Sequence, residues 1–158
     1  MNKKEAREIL FTLVYEYEFN REKDALEIYE DARTEREFEN YRYIKKGLSD
    51  IVSKRGVLSD IIEKYSDGWK VSRIAPVTRA VLLVATYDMI CKSTSCGIAI
   101  NEAVEIAKKY DDPAAVPFVN GILNSIAKDT ATIKENLTAD SDTENISDTN
   151  IDVTADEE

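Results

Sequence analysis

Pro76-Val77-Thr78-Arg79-Ala80-Val81-Leu82-Leu83-Val84-Ala85-Thr86-Tyr87-Asp88-Met89-Ile90 is the stretch on which the fold turns. Proline suits the first turn of a helix, where its missing N–H would have no partner anyway. Behind it Val77, Ala80, Val81, Leu82, Leu83, Val84, Ala85 and Tyr87 place apolar side chains around most of a helical circumference. Such a segment is buried on all sides, and it reads as the central helix of an all-α protein.

Working outward toward the amino terminus, Ala6, Ile9, Leu10, Leu13 and Tyr17 follow the i, i+3, i+4, i+7 spacing of a buried helical stripe. Lys4, Arg7 and Phe11 fall on one flank of that stripe, and Glu5, Glu8, Thr12 and Glu16 on the other. A second helix is expected over about 22–34 and a third over about 39–54, with Tyr43, Ile44, Leu48, Ile51 and Val52 facing inward. Gly56 breaks the pattern, and a short fourth helix over 57–65 is closed by Ser66-Asp67-Gly68. Trp69 opens the next connection and reads as a hydrophobic plug between two halves of the chain.

Toward the carboxyl terminus, a turn at 93–97 precedes a sixth helix over 98–110. Asp112-Pro113 reads as an N-cap followed by proline at the first helical position, starting a last helix that runs to about residue 129. About seven helices result, in two packed subdomains of about 1–66 and 67–130. Residues 131–158 hold nine of the acidic residues and one lysine, no aromatic and few bulky apolar side chains. That composition reads as a disordered acidic tail.

The tail carries −8 of the formal charge of −10, so residues 1–130 are nearly neutral and leave room for a local basic surface. The absence of histidine excludes Ser-His-Asp and Cys-His nucleophilic schemes and histidine zinc sites. Cys91 and Cys96 are five apart, not at Cys-x-x-Cys spacing, and read as reduced core thiols. No Gly-rich phosphate loop, nucleophile motif or metal-ligand cluster is present, and Asp111 with Asp112 reads as helix capping. The expectation is a protein with no catalytic residue, metal or cofactor. No stretch approaches the roughly 18–20 apolar residues of a membrane helix, so a soluble cytoplasmic protein is expected.

Binding residues are sought among side chains that a core does not need. Lys3, Lys4 and Arg7 cluster at the start of the first helix, where positive charge opposes the helix dipole. They form either a phosphate-contacting patch or an ordinary solvated terminus. Tyr110 and Phe118 bracket the Asp112-Pro113 turn, placed to stack on an unpaired base or to fill the core. Gly121 stands inside a helix at roughly 1 kcal/mol relative to alanine, which predicts close backbone packing against the central helix. Asn120 and Asn101 could each bond a free carbonyl or a ligand, and Glu102 suits the helix start beside Asn101.

Several of these segments, taken in order, resemble one family. Ala6-Arg7-Glu8 with Leu10, Leu13 and Tyr15, then Gly47-Leu48 and Asp60-Ile61, resemble the opening helices of the NusB family. Trp69 with Arg73, Arg79-Ala80-Val81-Leu82 and Ala85-Thr86-Tyr87-Asp88 are similar to its central region. Ile100-Asn101-Glu102-Ala103-Val104-Glu105-Ile106-Ala107-Lys108 and Phe118-Val119-Asn120-Gly121 are the most specific matches.

The resemblance implies a non-enzymatic transcription antitermination factor. It would pair with the small-subunit ribosomal protein that doubles as NusE, bind boxA-type RNA of rRNA leader transcripts, and help the RNA polymerase elongation complex resist termination. It also implies that Lys3, Lys4 and Arg7 contact phosphates, that Tyr110 and Phe118 contact bases with Asn120 in the same RNA-binding set, and that Arg79 lies near the site shared by RNA and protein partner. Leu83 stands where an arginine is usual in the family, Thr78 where an acid is common and Pro117 where many members have a basic residue. These three changes are expected to remove charge from the binding face. Two alternatives share the resemblance: the RNA-recognition module that precedes the catalytic domain of rRNA methyltransferases, and a homodimer whose interface hides the basic surface.

Overall fold

The computed structural model describes residues 1–140. Over them the chain forms α1 (Lys3–Phe19), α2 (Ala25–Arg36), α3 (Arg42–Ser53), α4 (Arg55–Lys64), a 3₁₀ turn (Val71–Arg73), α5 (Pro76–Ile90), α6 (Cys96–Tyr110), α7 (Ala115–Lys128) and α8 (Thr130–Asp140). Among the described residues there is no strand. The core forms around α5, where Thr78 and every residue from Ala80 to Ile90 are buried. α1 and α6 pack most extensively on α5, while α4, α7 and α8 also touch it. A helix apolar around its whole circumference can satisfy that surface only by being surrounded.

α1 adds Ala6, Leu10, Leu13 and Val14 to this core, and α3 adds Tyr43, Ile44, Leu48 and Ile51. Gly47 allows the two helices to meet closely: a Cβ there would lie 2.8 Å from Leu10 Cδ2, in a part of the core where Leu10 has no solvent exposure. The close packing expected at Gly121 is not found. Gly121 is exposed and a Cβ would meet nothing within 4 Å. With no steric need for glycine, Gly121→Ala is expected to raise stability by about 1 kcal/mol, read as a higher urea midpoint at unchanged slope.

Other expectations shift with physical cause. Gly56 does not separate helices: it lies in the first turn of α4, and Lys54 alone divides α3 from α4, its N–H bonding the Asp50 carbonyl at 2.8 Å. Asp112 does not cap α7. Its Oδ1 accepts from the Ala114 N–H at 2.9 Å, forming a turn one step ahead of a helix whose N-cap is Ala114. The unstructured tail does not begin at residue 131, because α8 buries Ile133 and packs Leu137 against the core. Those two apolar side chains, one turn apart, outweigh the acidic composition around them. Residues 141–158, the remainder of the expected tail, lie outside the described residues.

Candidate nucleic-acid interface

α1 begins with a reciprocal cap: Asn2 Oδ1 accepts from the Glu5 N–H at 2.8 Å, and Glu5 Oε1 accepts from the Asn2 N–H at 3.1 Å. This capping box satisfies two orphan donors and places a carboxylate at the positive end of the helix. It offsets the unfavourable position of Lys3 and Lys4 in the same turn.

α1 and α6 lie side by side and run in the same direction. Lys4 Nζ reaches Glu102 Oε1 at 3.3 Å, and one to two turns further along both helices Lys109 Nζ reaches Glu8 Oε2 at 2.6 Å. The Tyr110 hydroxyl donates to the same Glu8 carboxylate oxygen. Hydrogen bonds from Lys109 and Tyr110 hold the Glu8 carboxyl below its ordinary pKa, so it stays ionised and fixes both side chains. The Tyr110 ring packs on Phe11 at 5.1 Å between centroids yet remains 41% exposed, which leaves aromatic surface open. Beside it lies a groove of about 320 Å³ lined by Glu5, Glu8, Ile9, Thr12, Arg36 and Tyr110.

Arg7 lies inside. It is 6% exposed, and its Nε donates to Asp88 Oδ2 at 2.7 Å. The Tyr43 hydroxyl donates to the same carboxylate, 2.9 Å from Oδ1 and 3.1 Å from Oδ2. Burial pushes the Asp88 carboxyl above its ordinary value, with Arg7 and Tyr43 pulling against it. Arg7 therefore joins α1 to α5 and, through the Tyr43 hydroxyl, to α3. Lys3 sits over this network with its ammonium 4.6 Å from the Tyr43 ring centroid, a cation–π contact that leaves it half-exposed. Lys4 is the exposed member of the cluster.

Phe118 is half-buried on α7, edge-on to Trp69 at 6.4 Å, and Asn120 is exposed two residues on, about half a turn round the helix. Trp69 is not the expected plug, being 52% exposed. Arg79 is committed on two sides, its Nε donating to Glu18 Oε1 at 2.8 Å and its Nη1 to the Ile74 carbonyl at 2.7 Å. The charge losses expected on the binding face are reduced to one exposed position, Pro117. Leu83 is fully buried, and Thr78 is buried with its hydroxyl donating to Asp111 Oδ2 at 2.7 Å.

Sequence reasoning missed Lys109, Glu8 and the Asn2–Glu5 box. The Asn2-Lys3-Lys4-Glu5 spacing carried the signal for the last, whereas the Glu8–Lys109 bridge spans 101 residues and leaves no local trace. Cys91 and Cys96 are free thiols, half-buried, and burial raises the Cys91 pKa, which makes it a poor nucleophile. Among the described residues no cluster of three or more potential metal ligands occurs, and no helix is long and apolar enough to cross a membrane.

The NusB family model matches residues 4–128, from the basic start of α1 to the end of α7. The chain belongs to the NusB family. It is 35% identical over 133 residues to the transcription antitermination protein NusB of Clostridium perfringens (strain SM101 / Type A), covering 81% of this chain and 98% of that protein. The NusB of Natranaerobius thermophilus is 33% identical over 132 residues, covering 80% of this chain and 95% of that protein. Among solved structures, T. maritima NusB superposes with a TM-score of 0.70 at 28% identity, covering 86% of this chain and 99% of that one. A crystal structure of antitermination factors NusB and NusE in complex with dsRNA matches with a TM-score of 0.71 at 28% identity, covering 80% of this chain and 96% of that one. The NusB assignment thus extends across the α1–α6 face, with Lys4, Glu8 and Tyr110 inside the matched region and Lys3 one residue before it.

Proposed function

We propose that this protein acts in the cytoplasm as a transcription antitermination factor that binds boxA-type RNA of rRNA leader transcripts together with a NusE-type ribosomal protein, for delivery to the RNA polymerase elongation complex. The observation that carries the reading is the likeness, over four-fifths of the chain, to a NusB solved with NusE and dsRNA. In this reading Lys3 and Lys4 contact phosphates, joined by Lys109, while Tyr110 and Phe118 present rings to unpaired bases and Asn120 offers a side-chain amide on the same helix as Phe118. Arg7 acts from within, holding the start of α1 in place. Arg79, held by Glu18, orders the neighbouring surface on which the protein partner rests.

The test is binding of the purified protein, with and without its NusE-type partner, to boxA RNA and a scrambled control at two salt concentrations. Selective binding that tightens with the partner is expected. Phe118→Ala is expected to weaken it by a factor of about 5 to 150, the equivalent of about 1–3 kcal/mol for one stacked base. Lys4→Ala is expected to weaken boxA and scrambled RNA alike and to lower the salt slope by about 0.7, one phosphate contact on a single strand. Equal affinity for boxA and the scrambled RNA with partner present would overturn the proposal.

A further inference from the structure

Trp69 is the one tryptophan of the chain, and more than half of its surface faces solvent. The exposure is built in. Asp67 and Gly68 both adopt left-handed backbone, φ 56° and 85°, reversing the chain just before it. Ser66 closes the turn: its carbonyl accepts from the Trp69 N–H at 3.3 Å and its hydroxyl donates to the Trp69 carbonyl at 2.8 Å. Directly after, Val71 is buried and its N–H donates to Glu63 Oε2 at 2.8 Å. The indole is thus presented from a backbone secured on both sides.

The neighbour of the indole is the ring of Phe118, with 6.4 Å between centroids and 78° between planes. Phe118 packs partly against the core and so forms a firm wall. Two aromatic rings near a right angle form a corner, in which a flat heterocycle can stack on one ring while its edge meets the other. Lys70 follows Trp69 directly and Arg73 lies four residues on; both are exposed, and among the described residues neither side chain has an ion-pair partner. An aromatic corner beside unpaired cations matches the chemistry of a nucleotide in a single strand, with its base in the corner and its phosphate at the cations.

We propose that Trp69 is a second base-stacking residue, receiving one unpaired nucleobase of single-stranded RNA in the corner it makes with Phe118, with Lys70 and Arg73 on the adjoining phosphates. The inference rests on the RNA-binding reading above and extends that site from α7 onto the turn before α5. Stacking of this kind is tolerant of base identity, so Trp69 contributes affinity and register rather than sequence choice.

The experiment follows Trp69 emission and the anisotropy of an end-labelled boxA RNA in one titration of the protein–partner complex. A Trp69→Phe complex serves as the blank for any tryptophan in the partner. Expected are saturable quenching of Trp69 in step with the anisotropy, and a 5- to 100-fold loss of affinity in Trp69→Ala that Trp69→Phe largely restores. One abasic position in the RNA should weaken binding to the unmutated protein while leaving Trp69→Ala unaffected. RNA that binds by anisotropy with Trp69 emission unchanged overturns the proposal and leaves the RNA-binding reading standing. Emission that changes on adding the partner alone, and no further with RNA, assigns the indole to the protein contact and also overturns it. Absence of RNA binding by the unmutated complex at low salt would remove both readings together. The emission measurement uses the unmutated protein, so it decides the matter even where Trp69→Ala fails to fold.

Discussion

Asp88→Ala is expected to lower folding stability by about 3–5 kcal/mol, the range seen when one partner of a buried ion pair is removed. Asp88 has no solvent exposure and accepts from Arg7 at 2.7 Å and from the Tyr43 hydroxyl at 2.9 and 3.1 Å. Truncation leaves the Arg7 guanidinium, itself 6% exposed, without its principal counter-charge. Glu102, 3.9 Å from Arg7 Nη1 and shared with Lys4, remains as a weaker counter-charge and draws the expected loss toward the lower part of that range. Set against the roughly 5–15 kcal/mol that a domain of this kind possesses, the loss is a large fraction of the whole. Urea unfolding followed by circular dichroism measures it, and a loss under about 1 kcal/mol would show that the pair is not desolvated as described.

A second variant separates the charge from the packing. Replacing Arg7 and Asp88 together by methionine and leucine removes both desolvated charges, and such exchanges are often neutral or stabilising. The double variant is therefore expected to recover part of the stability lost in Asp88→Ala, short of the about 1–3 kcal/mol that the buried Tyr43 hydroxyl costs without its acceptor. It is not expected to recover RNA binding fully. Lys3 and Lys4 precede Arg7 on α1, and Lys3 rests on the Tyr43 ring whose hydroxyl Asp88 holds. Stability restored with affinity still reduced would separate the orienting role of the network from its structural one.

The central helix and the stripe of α1 were legible because their signals are local: period and circumference are properties of consecutive residues. The same local logic explains the failures. An exposed helical glycine and a packed one have the same sequence neighbourhood, so the sequence points to a close approach at Gly121, whereas the structure has it at Gly47, set by Leu10 on another helix. Ile133 and Leu137 carry a helical spacing that the acidic residues around them mask, so α8 emerges only in the structure. For the proposed site, Tyr110, Phe118, Lys3 and Lys4 all stand out by residue type. Which of the marked cations faces solvent was not legible, because Arg7 is withdrawn by an aspartate 81 residues away. Long-range pairing decides whether a basic residue is a ligand contact or a strut, and it leaves no spacing to read.

Acid is expected to weaken the fold through Glu18, and Glu18→Gln to remove part of that sensitivity. The Glu18 side chain is inaccessible to solvent and receives Arg55 Nε and Nη2 at 2.8 and 2.7 Å and Arg79 Nε at 2.8 Å. Burial alone would raise its pKa, but the hydrogen bonds and charges of Arg55 and Arg79 outweigh burial and hold it below the ordinary carboxylate value. A depressed folded-state pKa means that the unfolded chain binds the proton more readily, so stability is complete above the unfolded value near about 4.3 and is lost as pH falls through the folded one. Glu8, also depressed, acts in the same direction but lies near the surface, where such pairs contribute little. At neutral pH, Glu18→Gln should be less stable by about 2–4 kcal/mol, toward the lower part of the buried-pair range because Arg55 and Arg79 keep some access to water. As pH falls below about 4.3 the two proteins should begin to converge, since the unfolded chain then takes up a proton that the native carboxyl still resists, and convergence is complete only below the depressed folded value. Urea midpoints from pH 3 to 7 measure the difference, and parallel curves would assign the acid response elsewhere. Arg79 gives the comparison a functional arm: with its neutral partner it loses the charge that orients it, so binding of the NusE-type partner should weaken at pH 7 in Glu18→Gln even where urea curves show the protein fully folded.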